Sequence, residues 1–120
     1  MRKFFTISLA SIFGLALVST AAFAAYGENS KLAGYVKETN TLVPLAKAKV
    51  KIYKKNGKLK DTDRTNSKGK YSFSDLDSGT YRVKATMEGY RNPKNFNKEH
   101  VSKTVKVNGS DRKNLYMQKI

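Results

Sequence analysis

The chain has 120 residues, with 24 Lys and Arg against 9 Asp and Glu, and it contains neither Cys nor Trp. That length accommodates one ordinary domain and excludes large enzyme folds such as a (β/α)8 barrel. Disulfides are excluded as well, so a small fold must depend on hydrophobic packing alone.

Residues 1–24 have the organisation of a secretory signal peptide. Arg2 and Lys3 form a positive n-region, residues 7–18 form an apolar run, and Ala22-Phe23-Ala24 has small residues where signal peptidase reads. We predict cleavage after Ala24, a linker over residues 25–30 and one domain over residues 31–120. The protein would be secreted or periplasmic in a bacterium. The alternative, a retained membrane anchor, needs about 20 apolar residues, so we expect no transmembrane segment in the mature form.

The remaining residues alternate between apolar and polar side chains, with turn signals between the alternating segments. This pattern predicts an all-β, seven-stranded Greek-key sandwich. The predicted strands lie near residues 32–38, 48–52, 59–65, 71–76, 80–85, 101–107 and 114–120. Disorder is the alternative for so basic a chain, but the regularly alternating aromatic residues disfavour it.

Turn signals define the connections between the predicted strands. Asn56-Gly57 predicts a tight hairpin, because this dipeptide readily takes positive φ at both central positions. Asn108-Gly109 predicts the turn between the sixth and seventh strands. Residues 91–100 are predicted to form a polar loop.

Five segments carry a resemblance to a known family. They are residues 32–36 (LAGYV), 43–50 (VPLAKAKV), 65–73 (TNSKGKYSF), 76–81 (LDSGTY) and 88–90 (EGY). In this order and spacing they resemble the carboxypeptidase regulatory-like domain, a transthyretin-like or prealbumin-like β-sandwich. The resemblance implies an accessory module with a structural or binding role, and not an enzyme.

Catalytic and metal chemistry have little support in the sequence. His100 is the only histidine and lies in the polar loop, so we predict no catalytic residue, no metal site and no cofactor. The carboxylate pairs Asp61/Asp63 and Asp75/Asp77 offer an alternative Ca²⁺ site with Asn66. Their basic neighbours favour simple charge compensation instead.

The excess of lysine is the strongest functional signal. Lys47, Lys49 and Lys51 alternate with apolar residues and are predicted to project from one face of the second strand. Together with the lysines of the hairpin and the outward residues of a later strand they form a set that we call the basic face. Its members are Lys47, Lys49, Lys51, Lys54, Lys55, Lys58, Lys60, Arg82 and Lys84.

The basic face predicts attachment to an anionic partner such as an envelope polymer. Lysine outnumbers arginine, which argues against sequence-specific binding of nucleic acid. The competing interpretation is that the lysines only keep exposed strands soluble and block edge-to-edge pairing. A glycan or protein partner is a further alternative, with Tyr35 and Tyr53, outward by alternation, as stacking platforms for sugar rings.

Overall fold

The computed structural model describes residues 29–120. The signal peptide and cleavage site predicted for residues 1–24 lie outside the described residues. The described chain forms nine strands and no helix. These are β1 Ser30–Glu38, β2 Lys49–Lys54, β3 Leu59–Arg64, β4 Lys70–Leu76, β5 Gly79–Thr86, β6 Tyr90–Arg91, β7 His100–Val107, β8 Ser110–Arg112 and β9 Leu115–Lys119. In this range, therefore, no helix has the length and hydropathy needed to cross a membrane.

The strands form two sheets. The first has the order β4-β1-β9-β6, with β8 pairing with β1 as well, and the second has the order β3-β2-β5-β7. The second sheet is antiparallel throughout, whereas β1 pairs antiparallel with β4 and parallel with β8 and β9. Alternate residues of both sheets point to a shared core, as expected of a sandwich. Its fully buried members include Leu32, Val36, Val50, Ile52, Tyr71, Val83, Leu115 and Met117.

The predicted all-β sandwich is confirmed, but the predicted number of strands is wrong. Each of the seven predicted strands is present, and β6 and β8 are additional. β6 has two residues and β8 has three, and a segment that short shows no period in sequence. The apolar alternation also carries no information about the parallel pairing of β8 and β9 with β1.

The hairpin predicted at Asn56-Gly57 is confirmed, but its backbone conformation differs from the prediction. Gly57 has a φ of 91°, whereas Asn56 is not among the residues with positive φ. The Gly57 amide donates to the Lys54 carbonyl at 2.8 Å, and the Lys54 amide donates to the Lys58 carbonyl at 2.8 Å. The loop is therefore a turn with glycine in the left-handed position, an arrangement that requires positive φ at one residue only.

The turn at Asn108-Gly109 connects the two sheets instead of closing a hairpin. It leads from β7, at one edge of the second sheet, to β8, which lies beside β1 in the first. The Gly109 carbonyl accepts the Lys31 amide at 2.6 Å, which fixes the turn to the start of β1. The predicted direct passage from the sixth strand to the last one is therefore wrong, because β8 intervenes.

Candidate functional site

The outer side of the second sheet carries the centre of the basic face. Lys51 lies directly opposite Lys84 of β5, and Tyr53 lies opposite Arg82. The residues that alternate with these, such as Val50 and Val83, are fully buried. Because successive side chains of a strand point to opposite faces, the structure brings the basic residues of β2 and β5 together on one outer surface. These residues are Lys49, Lys51, Arg82 and Lys84.

Lys47 lies outside the strand on which the sequence placed it. β2 begins at Lys49, and Lys47 occupies the preceding turn with a φ of 65°. Its amide donates to the Thr65 carbonyl at 2.8 Å, and its carbonyl accepts from Arg64 Nη1 at 3.3 Å. Lys47, Lys49 and Arg64 line a shallow depression of about 310 Å³ at this end of the sheet.

The hairpin residues of the basic face divide into two groups. Lys54 and Lys55 line an open groove of about 640 Å³ that crosses the outer side of β2, β5 and β7. We call this depression the hairpin groove. Lys58 and Lys60 are exposed on the other arm of the hairpin and are not among the residues that line the groove.

The hairpin groove is lined by cations and by hydrogen-bonding side chains. The cations are Lys54, Lys55, Arg82, Lys84 and Lys98, and the hydroxyls are those of Thr80, Ser102 and Thr104, with Tyr53, Tyr81, Asn56 and His100 completing the polar and aromatic lining. Within residues 29–120 the lining includes no Asp or Glu. The groove therefore presents a concentrated positive potential to an approaching ligand.

The carboxylates of β3, the strand next to β2, lie on the side of the sheet opposite to the lysines. Asp61 and Asp63 of β3 are paired with Ile52 and Val50, so they lie on the inner side of the sheet and not on the lysine side. Asp63 Oδ2 accepts the amide of Ser72 on β4 at 2.9 Å, which ties the edge of the second sheet to the edge of the first. Among the described residues one ion pair forms, between Arg91 and Glu99 at 3.2 Å.

His100 lies at the start of β7 and lines the groove. Partial burial lowers the pKa of His100, and the nearby charges of Lys84 and Lys98 lower it further, while Glu99 acts in the opposite direction. These influences together favour the neutral form of the imidazole. Residues 29–120 contain no group of three or more Asp, Glu, His or Cys side chains placed to hold a metal ion.

The residues of the alternative Ca²⁺ site have other hydrogen-bond partners. Asn66 Oδ1 accepts the amides of Lys68 and Lys70 at 2.9 and 3.0 Å, which closes the turn before β4. Asp61 Oδ1 accepts the Thr62 amide at 2.8 Å, and both carboxylate oxygens of Asp63 accept backbone amides. These side chains act as acceptors that stabilise local backbone geometry.

Tyr35 and Tyr53 lie in different sheets. Tyr35 belongs to β1 in the first sheet, where Lys37 Nζ lies 5.4 Å from the centre of its ring. Tyr53 belongs to β2 in the second sheet and lines the hairpin groove. The two rings therefore do not form one stacking platform, and each would contact a sugar separately.

Lys98, His100 and three hydroxyl residues of the groove were not among the predicted site residues. Ser102 and Thr104 alternate with Val101 and Val105, and this pattern could have placed them on the same outer face. Lys98 lies in the irregular segment before β7, so only the folded chain brings it beside Lys84.

Comparison with known families identifies the fold and its relatives. The family model described as the carboxypeptidase regulatory-like domain matches residues 31–117. The chain belongs to this family. This confirms the resemblance carried by the five sequence segments. This carboxypeptidase regulatory-like chain is also 41% identical over 54 residues to Colossin-A of Dictyostelium discoideum. The aligned segment covers 45% of this chain and, as a rounded share, 0% of Colossin-A.

Solved structures share the sandwich at low sequence identity. GBS52, a minor pilin of Streptococcus agalactiae, superimposes with a TM-score of 0.60 at 19% identity, over 79% of this carboxypeptidase regulatory-like chain and 46% of the pilin. The 5-hydroxyisourate hydrolase of Klebsiella pneumoniae superimposes with a TM-score of 0.54 at 14% identity, over 79% of this chain and 95% of the hydrolase. This chain thus spans less than half of the pilin. At these identities the likeness concerns the fold and not the activity.

Proposed function

We propose that this protein is an exported, non-catalytic carboxypeptidase regulatory-like module that attaches to anionic polymers of the bacterial envelope or exterior through its basic face. Export is supported by the leader-like organisation of residues 1–24. The non-catalytic role is supported by family membership and by the composition of the hairpin groove, whose single histidine has no carboxylate or second histidine beside it among the lining residues.

The position of the lysines within the sheet carries the proposal. β2 and β5 are the two central strands of the order β3-β2-β5-β7. Lysines that block edge-to-edge pairing belong on edge strands, because only edge strands have unpaired backbone groups. Lys49, Lys51 and Lys84 therefore do not serve edge protection, which leaves solubility or binding as their role.

Cross-strand repulsion favours binding over solubility. Lys51 and Lys84 are directly opposite each other, and like charges in that arrangement destabilise a sheet by a few tenths to about 1 kcal/mol. A solubilising surface can use interspersed charges of both signs and avoid this cost. A bound polyanion would turn the repulsion into attraction, since each neutralised lysine releases counterions from the polymer.

The test compares two triple variants with the same loss of charge. Lys47→Gln/Lys49→Gln/Lys51→Gln alters the basic face, and Lys31→Gln/Lys70→Gln/Lys119→Gln alters exposed positions of the first sheet. The binding constant K of the purified protein for heparin is measured at salt concentrations from about 0.05 to about 0.5 M, because salt screens such contacts over this range. The slope of log K against log salt should fall in magnitude by about 2 for the first variant, at roughly 0.7 per lost contact.

The control variant separates a specific surface from net charge. The first-sheet variant should keep a slope close to that of the wild-type protein. Equal losses in both variants would show that overall charge alone governs retention, and the basic face would then have no special role. Circular dichroism of both variants checks that the sandwich is intact, because surface substitutions of this kind change stability by about 1 kcal/mol or less.

A carbohydrate-binding module is the second candidate function. One observation favours it: Tyr53 lines the hairpin groove, which is also lined by hydroxyl and amide side chains that can hydrogen-bond a sugar. Neutral glycan binding of this kind would be insensitive to salt and would be lost in Tyr53→Ala. Glycan-array binding that persists at high salt would therefore favour this candidate over the polyanion-binding one.

A further inference from the structure

The residues that line the hairpin groove favour one chemical class of anionic ligand. This inference rests on the proposed function. Five cations line it, and Lys98 comes from a segment distant in sequence from the hairpin that supplies Lys54 and Lys55. The nearest carboxylate in sequence, Glu99, is engaged by Arg91 at 3.2 Å and is absent from the lining. The positive charge of the groove is thus uncompensated by the residues that form it.

The register between β5 and β7 places hydrogen-bond donors beside these cations. Lys84 is directly opposite Ser102, and Arg82 is directly opposite Thr104. Arg82 Nη1 also donates to Ser102 Oγ at 3.3 Å, which holds the guanidinium over the groove. Hydroxyl donors next to cations are the combination that satisfies the several acceptor oxygens of a phosphate group.

The groove has room for more than one phosphate group. It crosses three adjacent strands, and since neighbouring strands lie about 4.8 Å apart it extends roughly 10 Å across the sheet. Lysines recognise phosphate as point charges on flexible stems and do not demand the fixed geometry that arginine imposes. An extended chain with a repeating charge suits this arrangement better than one small anion.

His100 adds a charge that depends on pH. The charged groups that act on it are Lys84 of β5 and, from the segment before β7, Lys98 and Glu99. Asn92 Nδ2 donates to the His100 carbonyl at 3.1 Å, which fixes the first residue of β7 at the rim of the groove. A phosphate bound between the two lysines would offset their repulsion of the protonated imidazole.

We propose that the hairpin groove is a binding site for a linear phosphate polymer, in which Lys54, Lys84 and Lys98 contact successive phosphate groups and His100 contributes a further cation in mildly acidic solution. Binding then tightens as the pH falls, because the protein gains one positive charge in contact with the polymer. Long-chain polyphosphate is a suitable probe, since its inner phosphate groups keep their charge across this range of pH.

The experiment measures binding of long-chain polyphosphate and of polyglutamate to the purified protein by calorimetry. Measurements at pH 7.5 and 5.5 are made on wild type, Lys84→Gln/Lys98→Gln, His100→Gln and the control Lys31→Gln/Lys70→Gln. At 0.1 M salt each lost phosphate contact should weaken binding about fivefold, so the groove double variant should lose about 25-fold and the control much less. His100→Gln should retain the affinity at pH 7.5 and lose the tightening at pH 5.5.

The outcomes separate this inference from the proposed function. Equal losses of affinity in the groove and control variants, or equally tight binding of polyglutamate, would overturn the phosphate site. The proposed role of the basic face would still hold in that case if Lys47→Gln/Lys49→Gln/Lys51→Gln weakens retention on heparin. Tighter binding of a single-stranded oligonucleotide than of polyphosphate would overturn it in favour of a nucleic-acid ligand. Failure of the wild-type protein to bind any polyanion would overturn both proposals together.

Discussion

Gly34 is the position at which we expect a single added methyl group to do the most damage. It lies in β1, the strand that pairs with β4, β8 and β9. A Cβ built on Gly34 would lie 1.9 Å from the Lys113 carbonyl oxygen and 2.9 Å from Tyr71 Cε2. Both neighbours are held in place, since the Lys113 amide donates to the Ala33 carbonyl at 2.9 Å and the Tyr71 hydroxyl donates to the Lys113 carbonyl.

The cost of Gly34→Ala combines overpacking with lost hydrogen bonds. Forcing extra volume into a packed site costs about 1–3 kcal/mol, and the upper end applies because backbone must move by more than an ångström. Losing the two hydrogen bonds of Lys113 adds about 0.5–1.5 kcal/mol each. The free energy of unfolding should therefore fall by about 4–6 kcal/mol. That is a large part of the total stability of such a domain, which is about 5–15 kcal/mol.

Urea denaturation followed by circular dichroism measures this loss, and Gly57→Ala supplies the matched control. Gly57 has a φ of 91° and nothing within 4 Å of a built Cβ, so alanine there suffers only the left-handed backbone penalty of roughly 1–2 kcal/mol. Gly34→Ala should thus be the more destabilised of the two variants. If its unfolding midpoint matched that of wild type, the close approach of Lys113 to β1 would be refuted.

Two further predictions concern buried and partly buried polar groups. Thr65 Oγ1 donates to the Leu45 carbonyl at 2.5 Å and accepts the Ala48 amide at 2.8 Å, so Thr65→Val should lower the unfolding free energy by about 2–4 kcal/mol in urea titrations, whereas Thr65→Ser should retain most of it. Hydrogen bonds from the Thr41 side chain and then from backbone amides lower the pKa of Glu38, so its contribution to stability is present above the ordinary glutamate pKa of about 4.3 and is lost as the pH falls below it. Glu38→Gln should accordingly flatten the acid limb of a plot of unfolding midpoint against pH, and an unchanged acid limb would contradict this role.

Most of the long strands could be predicted from sequence because they have one exposed and one buried side. β3 has no buried residue, and it was predicted from the Asn56-Gly57 turn that precedes it. In β2 the buried residues Val50 and Ile52 alternate with lysines, and in β5 the buried residues Val83 and Ala85 alternate with Arg82 and Lys84. The short strands could not be predicted, because β6 and β8 are defined by their pairing with β9 and β1, which are distant from them in the sequence and are not their hairpin partners. β8 is an instance: its residues are polar, and it is held by the parallel register of Asp111 with Leu32.

The basic face was predictable in part for the same reason. Alternation alone placed Lys49, Lys51 and Lys84 on outer surfaces, but only the strand order shows that β2 and β5 are adjacent and that Lys51 lies opposite Lys84. The hairpin groove could not be predicted from sequence, because it depends on a contact that no local sequence pattern encodes. Lys98 reaches it because β7 pairs with β5, which brings the segment before His100 to the same side of the sheet.

Several acidic side chains of the described residues accept hydrogen bonds from the backbone, and none of them forms an ion pair with the basic face. The carboxylates of Glu38, Asp61, Asp63 and Asp111 each accept a backbone amide, the last from Asn108 at 2.7 Å. Because these carboxylates accept hydrogen bonds from backbone amides in turns and at sheet edges, they are not positioned to neutralise lysines on an outer face. The positive field of the β2 and β5 side chains therefore extends into solvent. A negatively charged polymer bound there would neutralise the charge that the protein's own carboxylates leave uncompensated.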